Sequence, residues 1–224
     1  MTAFFNRYDA GRQLGIALVA HRPADPVIIG LSRGGVPVAA EVARILEAPL
    51  DLCIVRKVMI GDLTIGAVSE GGIYLDDALI TRHSIWPWAV DAAIDREIAE
   101  VDRSAELLRD GSPLSLAGRD VILVDDGVTT GLTIRAAARA LRRRGPATLE
   151  LAVPVASINV LDTLRPAFDR VTCLEAEPLA GAIGARYQQF LPVSEAEVVA
   201  VLLTIAREMR EDSLRPAEVH ALGL

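Results

Sequence analysis

The sequence predicts an α/β fold with a doubly wound, mostly parallel sheet, and three observations support this prediction. Short apolar runs with the length of buried strands recur along the chain, as in VIIGL (27–31) and VILV (121–124). Segments with helical periodicity separate these runs, as parallel strands require, because each pair needs a crossover connection. Glycine and proline mark helix ends, for example at Gly145 and Pro146. In such sheets ligands bind at the carboxyl ends of the strands.

The individual elements follow from local patterns. Apolar runs predict strands over 27–31, 50–55, 121–125, 149–156 and 170–176. Helical periodicity predicts helices over 9–20, 35–48, 87–111, 132–144, 157–167 and 194–210. The second helix tolerates Pro37 because proline is accepted in a first turn, and Gly111 closes the third. Two extended arms around Glu70, Gly71 and Gly72 predict a β-hairpin over 65–76.

Composition and charge argue against some classes of protein, namely those that bind nucleic acid or span a membrane. The chain has 224 residues and a formal net charge of −7, which argues against a nucleic-acid-binding face. The richest basic cluster, Arg142 to Arg144, falls at a helix end, where we predict solvated side chains that complement the helix dipole. Cys53 and Cys173 lie in apolar runs, as expected of buried thiols in a reducing compartment. No apolar run approaches membrane-spanning length. We therefore expect a cytoplasmic protein that binds neither nucleic acid nor membranes.

The stretch VILVDDGVTTGLT (121–133) carries the clearest chemical signal. Two carboxylates, Asp125 and Asp126, end an apolar strand, and a glycine- and threonine-rich turn leads into the next helix. Backbone amides and hydroxyls at such a turn, together with the helix N-terminus, form a site for a phosphate. The carboxylates beside it accept hydrogen bonds from hydroxyl groups. The pattern therefore indicates a sugar phosphate such as ribose 5-phosphate.

The same stretch resembles the phosphoribosyl-pyrophosphate motif of type I phosphoribosyltransferases. The segments LSRGGVPVAAEVA, VRKV, IGAVSEGG and AIGARYQQF are also similar to bacterial stand-alone proteins of that family. The resemblance implies that ribose 5-phosphate is bound by Asp125, Asp126, Gly127, Thr129, Thr130, Gly131 and Thr133. It implies that pyrophosphate is bound by Ser32, Arg33, Gly34, Gly35, Arg56 and Lys57. The catalytic residues implied are Asp125, Asp126, Arg33 and Lys57.

The resemblance also implies an activity, a cofactor and a domain plan. The reaction would transfer phosphoribose from phosphoribosyl pyrophosphate to a small-molecule acceptor and release pyrophosphate. Mg²⁺ would be held mainly by the ligand, with a water-mediated contact to Asp125 or Asp126 left open. We expect a single domain over 1–224 with a hood, a small region covering the site, built from 70–115 and 177–193. Tyr187 and Phe190 would either stack on an acceptor base or pack within the hood. A homodimer is an open alternative for the assembly.

Two other functions remain open at this point. A regulator that binds phosphoribosyl pyrophosphate without turnover would carry the same motif. Gly30 to Gly34 also match the G-x-S-x-G elbow of α/β-hydrolases, with Ser32 as nucleophile and Asp169 and His220 completing a triad. The segment VMIGDLT (58–64) is shorter than the loop that usually covers the site in the resembling proteins. Because such loops cover the site during the reaction, we expect the shorter segment to affect turnover more than ligand binding.

Overall fold

The computed structural model of the protein describes residues 3–21, 23–109, 112–178 and 182–214, without the side chains of 212–214. The strands are β1 (Pro26–Leu31), β2 (Leu50–Cys53), β3 (Val55–Ile60), β4 (Leu63–Ser69), β5 (Gly72–Leu75), β6 (Asp120–Val124), β7 (Thr148–Ser157) and β8 (Arg170–Glu177). The helices are α1 (Arg7–Val19), α2 (Gly35–Leu46), α3 (Asp77–Arg82), α4 (Pro87–Leu108), α5 (Leu132–Arg143), α6 (Ile158–Leu164) and α7 (Glu195–Leu214). Short 3₁₀ turns cover Arg165–Ala167 and Ile183–Arg186.

Five parallel strands form the central sheet in the order β2-β1-β6-β7-β8. Alternate residues of its strands enter different cores: Leu123 packs with α5 and α6, whereas Ile122 and Val124 pack with α1, α2 and α7. Both faces of the sheet are therefore covered by helices, as in a doubly wound fold. The predicted α/β architecture is confirmed, and β6 is a central strand of the sheet.

A second sheet of three antiparallel strands, β3-β4-β5, lies against α4 and α5. The predicted hairpin turns between Ser69 and Gly72 as expected. Gly72 is needed there because a Cβ atom would lie 2.4 Å from the backbone oxygen of Ala136 in α5. The sheet begins at Val55, so the predicted hood boundary at residue 70 falls between two of its strands. The single-domain assignment stays a prediction.

The structure differs from the sequence-based expectation in two neighbouring segments, 50–55 and 58–64. Residues 50–55 are not one strand, because β2 ends at Cys53 and β3 starts at Val55 in a different sheet. The segment 58–64 is not a loop either: it forms the end of β3, a tight turn and the start of β4. An apolar run that continues across Ile54 hides the change of sheet from sequence periodicity.

The predicted end of the long helix at Gly111 lies outside the described residues, and α4 ends at Leu108. Among the described residues, no helix combines the length and apolar character that a membrane crossing requires.

Candidate functional site

The candidate site lies at the carboxyl ends of β1 and β6, which are neighbours in the sheet with Gly30 paired to Val124. The segments that follow these two strands face each other across a cavity of about 560 Å³. The lining includes most of the predicted residues, namely Ser32, Arg33, Gly34, Lys57, Asp125, Asp126, Gly127, Thr129, Thr130, Gly131 and Thr133. The topology thus brings together the two loops, which lie about ninety positions apart in sequence.

The two carboxylates sit side by side at the end of β6. The backbone N–H of Asp126 donates to Asp125 Oδ1 at 2.9 Å, and the Tyr187 hydroxyl donates to the Asp126 backbone oxygen at 2.6 Å. Burial raises the pKa of Asp125, and the adjacent negative charge of Asp126 raises it further. Ionisation of the pair is therefore favoured by groups that donate hydrogen bonds to it, such as sugar hydroxyls.

Arg7 is a site residue that the sequence analysis missed. Its Nε donates to Asp126 Oδ2 at 2.8 Å, and its Nη1 donates to the Leu191 backbone oxygen at 2.6 Å. The guanidinium also lies 3.7 Å from the centre of the Phe190 ring. Arg7 and Asp126 are only 11% and 14% exposed. No local pattern marks this arginine, because the contact spans 119 positions and depends on how α1 packs.

The turn after the carboxylates is shaped to receive an anion. Val128 anchors it to β7, since its N–H donates to Val155 O and its oxygen accepts from Ser157 N, both at 3.0 Å. Helix α5 begins directly after the turn, and its N-terminus has no side-chain cap. Gly131, at the helix start, has φ of 74°, a left-handed conformation that glycine adopts without strain. Uncapped N–H groups and exposed Thr129 and Thr130 thus face the cavity.

The loop after β1 packs closely against the carboxylates. A Cβ atom on Gly34 would lie 2.2 Å from Asp126 Oδ2, so only glycine permits this approach. The Ser32–Arg33 peptide bond is cis. The Arg33 side chain is 53% exposed and lies 4.0 Å from Glu195. Gly35 is not on the cavity wall: it opens α2, with a Cβ position 2.6 Å from the Val124 backbone oxygen. Gly35 therefore packs against β6, and its predicted contact with pyrophosphate stays a prediction.

Arg56 and Lys57 lie next to each other in β3 and both line a second, neighbouring cavity of about 440 Å³. Lys57 also lines the cavity of about 560 Å³, whereas Arg56 does not. Arg56 Nε donates to Glu97 Oε2 on α4 at 3.2 Å. Ser32, Arg33 and Lys57 line both cavities. Both cations therefore lie within β3, and their predicted contact with pyrophosphate stays a prediction.

The two aromatic residues predicted for the acceptor pocket, Tyr187 and Phe190, differ in whether they reach the cavity. Tyr187 is 4% exposed and packs against Phe4 and Phe190, with ring centres 5.4 Å and 4.9 Å away. Its ring is therefore used in packing, and its hydroxyl supports the backbone of Asp126. Phe190 lines the cavity, although Arg7 covers one face of its ring.

Neither a metal cluster nor a hydrolase triad is formed by the described residues. No group of three or more histidine, cysteine, aspartate or glutamate side chains there could hold a metal ion. No histidine lines the cavity in the described part of the chain, and His21 instead contacts Glu150 at 3.1 Å. Asp169 pairs with Arg142, and His220 lies outside the described residues. The geometry around Ser32 therefore gives no support to the hydrolase alternative.

Comparison with known proteins agrees with this geometry. The family described as phosphoribosyl transferase domain matches residues 17–177. Two Mycobacterium tuberculosis proteins, from strains CDC 1551 and H37Rv, each named "Putative phosphoribosyl transferase", are 38% identical over 216 residues. The match covers 94% of this chain and 49% of each relative, so the chain spans about half the length of these curated relatives.

Solved structures with the same fold extend the comparison. The crystal structure of TT1426 from Thermus thermophilus has a TM-score of 0.76 and 36% identity, covering 91% of this chain and 99% of that one. AQ2163 from Aquifex aeolicus shares the fold, with a TM-score of 0.50, 12% identity and coverage of 80% and 84%. Family match, sequence identity and architecture agree, and the chain belongs to the phosphoribosyl transferase domain family.

Proposed function

We propose that the protein is a phosphoribosyltransferase that uses phosphoribosyl pyrophosphate and Mg²⁺, and that it transfers phosphoribose to a small-molecule acceptor. The observation that carries this proposal is the single cavity shared by the acidic pair, the threonine turn and the Ser32–Gly34 loop. A ligand with hydroxyls between two phosphate-bearing ends matches that order of groups.

Each wall of the cavity has a role in this proposal. Asp125 and Asp126 accept hydrogen bonds from the ribose hydroxyls, and the amides and hydroxyls of 129–133 bind the 5-phosphate. The Ser32–Gly34 amides, Arg33 and Lys57 bind pyrophosphate. In the reaction the bond between C1 and the pyrophosphate oxygen breaks, and the acceptor's lone pair forms the new bond to C1. Fixed donors that face the leaving group stabilise the charge that develops there.

The residues present fit a magnesium ion that is held largely by its substrate. Among the described residues of the lining, Asp125 and Asp126 are the ones that offer carboxylate oxygens, the ligand type that Mg²⁺ prefers. Water-mediated contact with one of them, together with ligand oxygens, is the coordination we propose. When bound, the ion would neutralise charge on the departing pyrophosphate.

A regulator that binds the same ligand without turnover is the second candidate. The burial of Tyr187 and the contact of Arg7 with Phe190 favour it, because both reduce the aromatic surface open to an acceptor base. The two candidates share the binding site and differ only in pyrophosphate release.

The test measures binding of phosphoribosyl pyrophosphate and of ribose 5-phosphate by calorimetry. Asp126→Asn should weaken binding of both ligands by about 1.5–3 kcal/mol, the range for a hydrogen bond to a charged group. Thr130→Val should also weaken both, because both carry the 5-phosphate. Arg33→Ala should weaken only phosphoribosyl pyrophosphate. Thr204→Val and Arg207→Ala, on α7 and outside the cavity lining, are the matched controls.

Pyrophosphate release is then assayed with a panel of bases and amines. Release with one acceptor identifies the transferase, and binding without release across the panel identifies the regulator. If Arg33→Ala and Thr130→Val weaken both ligands equally, the division of the cavity into pyrophosphate and phosphate ends is wrong. If no variant changes binding, the cavity is not the ligand site.

A further inference from the structure

A third, larger cavity forms a groove along the outer face of α5. Its volume is about 950 Å³, and its lining shares no residue with the cavity at the carboxyl ends of β1 and β6. Four arginines of α5 line it, namely Arg135, Arg139, Arg142 and Arg143. These positions are spaced by four, three and one residues, which places them on one face of a helix. We call this feature the arginine groove.

Arg142 and Arg143 are exposed in the last turn of α5, in agreement with the prediction of a solvated helix end, and tertiary contacts orient the arginines of this face. Arg139 Nη1 donates to the Ile73 backbone oxygen at 2.7 Å, and Arg143 donates to the Gly71 backbone oxygen. Arg135 donates to the backbone oxygen and the hydroxyl of Thr163, at 2.9 Å and 2.7 Å. These acceptors orient the guanidinium groups without neutralising their charge, and each guanidinium has five N–H donors.

The groove keeps an excess of positive charge in a protein whose net charge is −7. Arg142 is paired with Asp169 at 2.9 Å, but Arg135, Arg139 and Arg143 donate to backbone and hydroxyl oxygens and have no carboxylate partner among the described residues. Of the two acidic residues in the lining, Glu70 is paired with Arg109 at 2.5 Å. That leaves Asp102 as the carboxylate that opposes three guanidinium groups in the described lining.

The rest of the lining is aromatic and apolar. The guanidinium carbons of Arg135 and Arg139 lie 5.2 Å and 4.9 Å from the centre of the Tyr74 ring, within the range of a cation–π contact. Ile98 and Pro166 form further apolar surface. The guanidinium groups over Tyr74 present flat surfaces on which a planar base can stack, and guanidinium groups also bind phosphate oxygens.

We propose that the arginine groove binds a nucleoside diphosphate or triphosphate at a site separate from the phosphoribosyl pyrophosphate cavity. Its volume falls in the range of small-molecule sites, about 300–1,000 Å³. Several phosphates complement the three unpaired guanidinium groups, and the nucleoside lies along the Tyr74 and Ile98 surface. The proposal does not depend on the transferase activity, because it uses other residues and another ligand.

The test is calorimetric titration of the full chain with ADP. The double variant R139Q/R143Q should weaken ADP binding at least about tenfold, which corresponds to 1.4 kcal/mol. The control R207Q/R210Q removes the same charge from exposed positions on α7 and should change binding by less than about twofold. Thr130→Val, at the other cavity, should have an equally small effect.

Asp102→Asn provides a gain-of-binding test that does not depend on a destabilising change. Removing the opposing carboxylate should tighten ADP binding. Equal affinities for R139Q/R143Q and the wild type, or weaker binding by Asp102→Asn, would overturn the proposal. Loss of ADP binding in Thr130→Val would place the nucleotide in the other cavity and overturn it too. Sedimentation in which R139Q/R143Q converts a dimer to a monomer would show a second copy as the occupant.

Discussion

Replacing Arg7 by methionine tests whether the arginine that reaches the acidic pair stabilises the folded protein. Methionine keeps the unbranched stem that packs near Phe190 and removes the guanidinium, leaving Asp126 without its cation. Because Arg7 and Asp126 are 11% and 14% exposed, solvent screens their interaction only weakly. A hydrogen bond to a charged group contributes about 1.5–3 kcal/mol. For a chain of this size that loss lowers Tm by about 3–12 °C.

The matched control is Arg12→Met, on the same helix. Arg12 is 53% exposed and its carboxylate partners, Asp9 and Glu41, lie 3.8 Å and 3.6 Å away. Exposed pairs of this kind contribute little, so we expect a loss below about 0.5 kcal/mol. Both variants are measured by urea unfolding for the free energy and by thermal unfolding for Tm, at neutral pH with circular dichroism as the signal.

A double-mutant cycle assigns the effect to the pair. Arg7→Met combined with Asp126→Asn should destabilise less than the sum of the single changes, with a coupling energy of about 1 kcal/mol or more. Equal losses from Arg7→Met and Arg12→Met would refute the reasoning, as would a coupling energy near zero. In either case the contact between Arg7 and Asp126 would be irrelevant to stability.

Three further predictions concern buried ionisable groups. The pKa of Asp125 is raised in the folded protein. The free energy of unfolding therefore falls as pH rises from the ordinary pKa of aspartate through the raised pKa. Asp125→Asn should make this fall less steep and raise Tm at about pH 8. Burial raises the pKa of Cys53 to about 12, so iodoacetamide should modify it only when urea unfolds the chain, as read by mass spectrometry. Arg109→Met leaves buried Asp51 and partly buried Glu70 without their cation and should lower the free energy of unfolding in urea by about 3–5 kcal/mol. The control Arg103→Met, at an exposed position, should lower it by less than about 0.5 kcal/mol.

Each of these three has an outcome that contradicts it. A steeper pH dependence in Asp125→Asn would reverse the sign of its predicted contribution. Fast modification of Cys53 in the native protein would mean that its thiol is accessible. Equal losses from Arg109→Met and Arg103→Met would show that the contacts of Arg109 with Asp51 and Glu70 add nothing beyond a surface pair.

Much of the candidate site was predictable from the sequence because its parts are local. Asp125, Asp126 and the threonines that follow are contiguous, and the strand-to-helix turn that carries them is encoded within thirteen residues. The loop after β1 is similarly contiguous. Because each segment is contiguous, its residues are neighbours in the site as they are in the sequence, although contacts with β7 and Tyr187 also support the turn.

The surroundings of Arg56 and Lys57 could not be predicted from the neighbouring sequence. They are adjacent in sequence and share the cavity of about 440 Å³, but Arg56 donates to Glu97 and only Lys57 of the two also lines the cavity of about 560 Å³. Which sheet they belong to depends on the pairing of β3 with β4, and an apolar run gives no sign of that pairing. Tyr187 is similar: its spacing from Phe190 is compatible with stacking or packing, and only the contact with Phe4 decides it.

The sequence by itself determined the α/β architecture, the hairpin at Ser69–Gly72 and the glycine- and threonine-rich turn after β6, because periodicity, turn residues and a contiguous motif are local properties. Tertiary structure alone decided that Arg7 reaches Asp126 and that Gly35 packs on Val124. It also decided that the arginines of α5 line a groove closed by residues from the hairpin, α4 and α6. These contacts join segments far apart in the chain, and their geometry follows from how helices and sheets pack, which no short window of sequence contains.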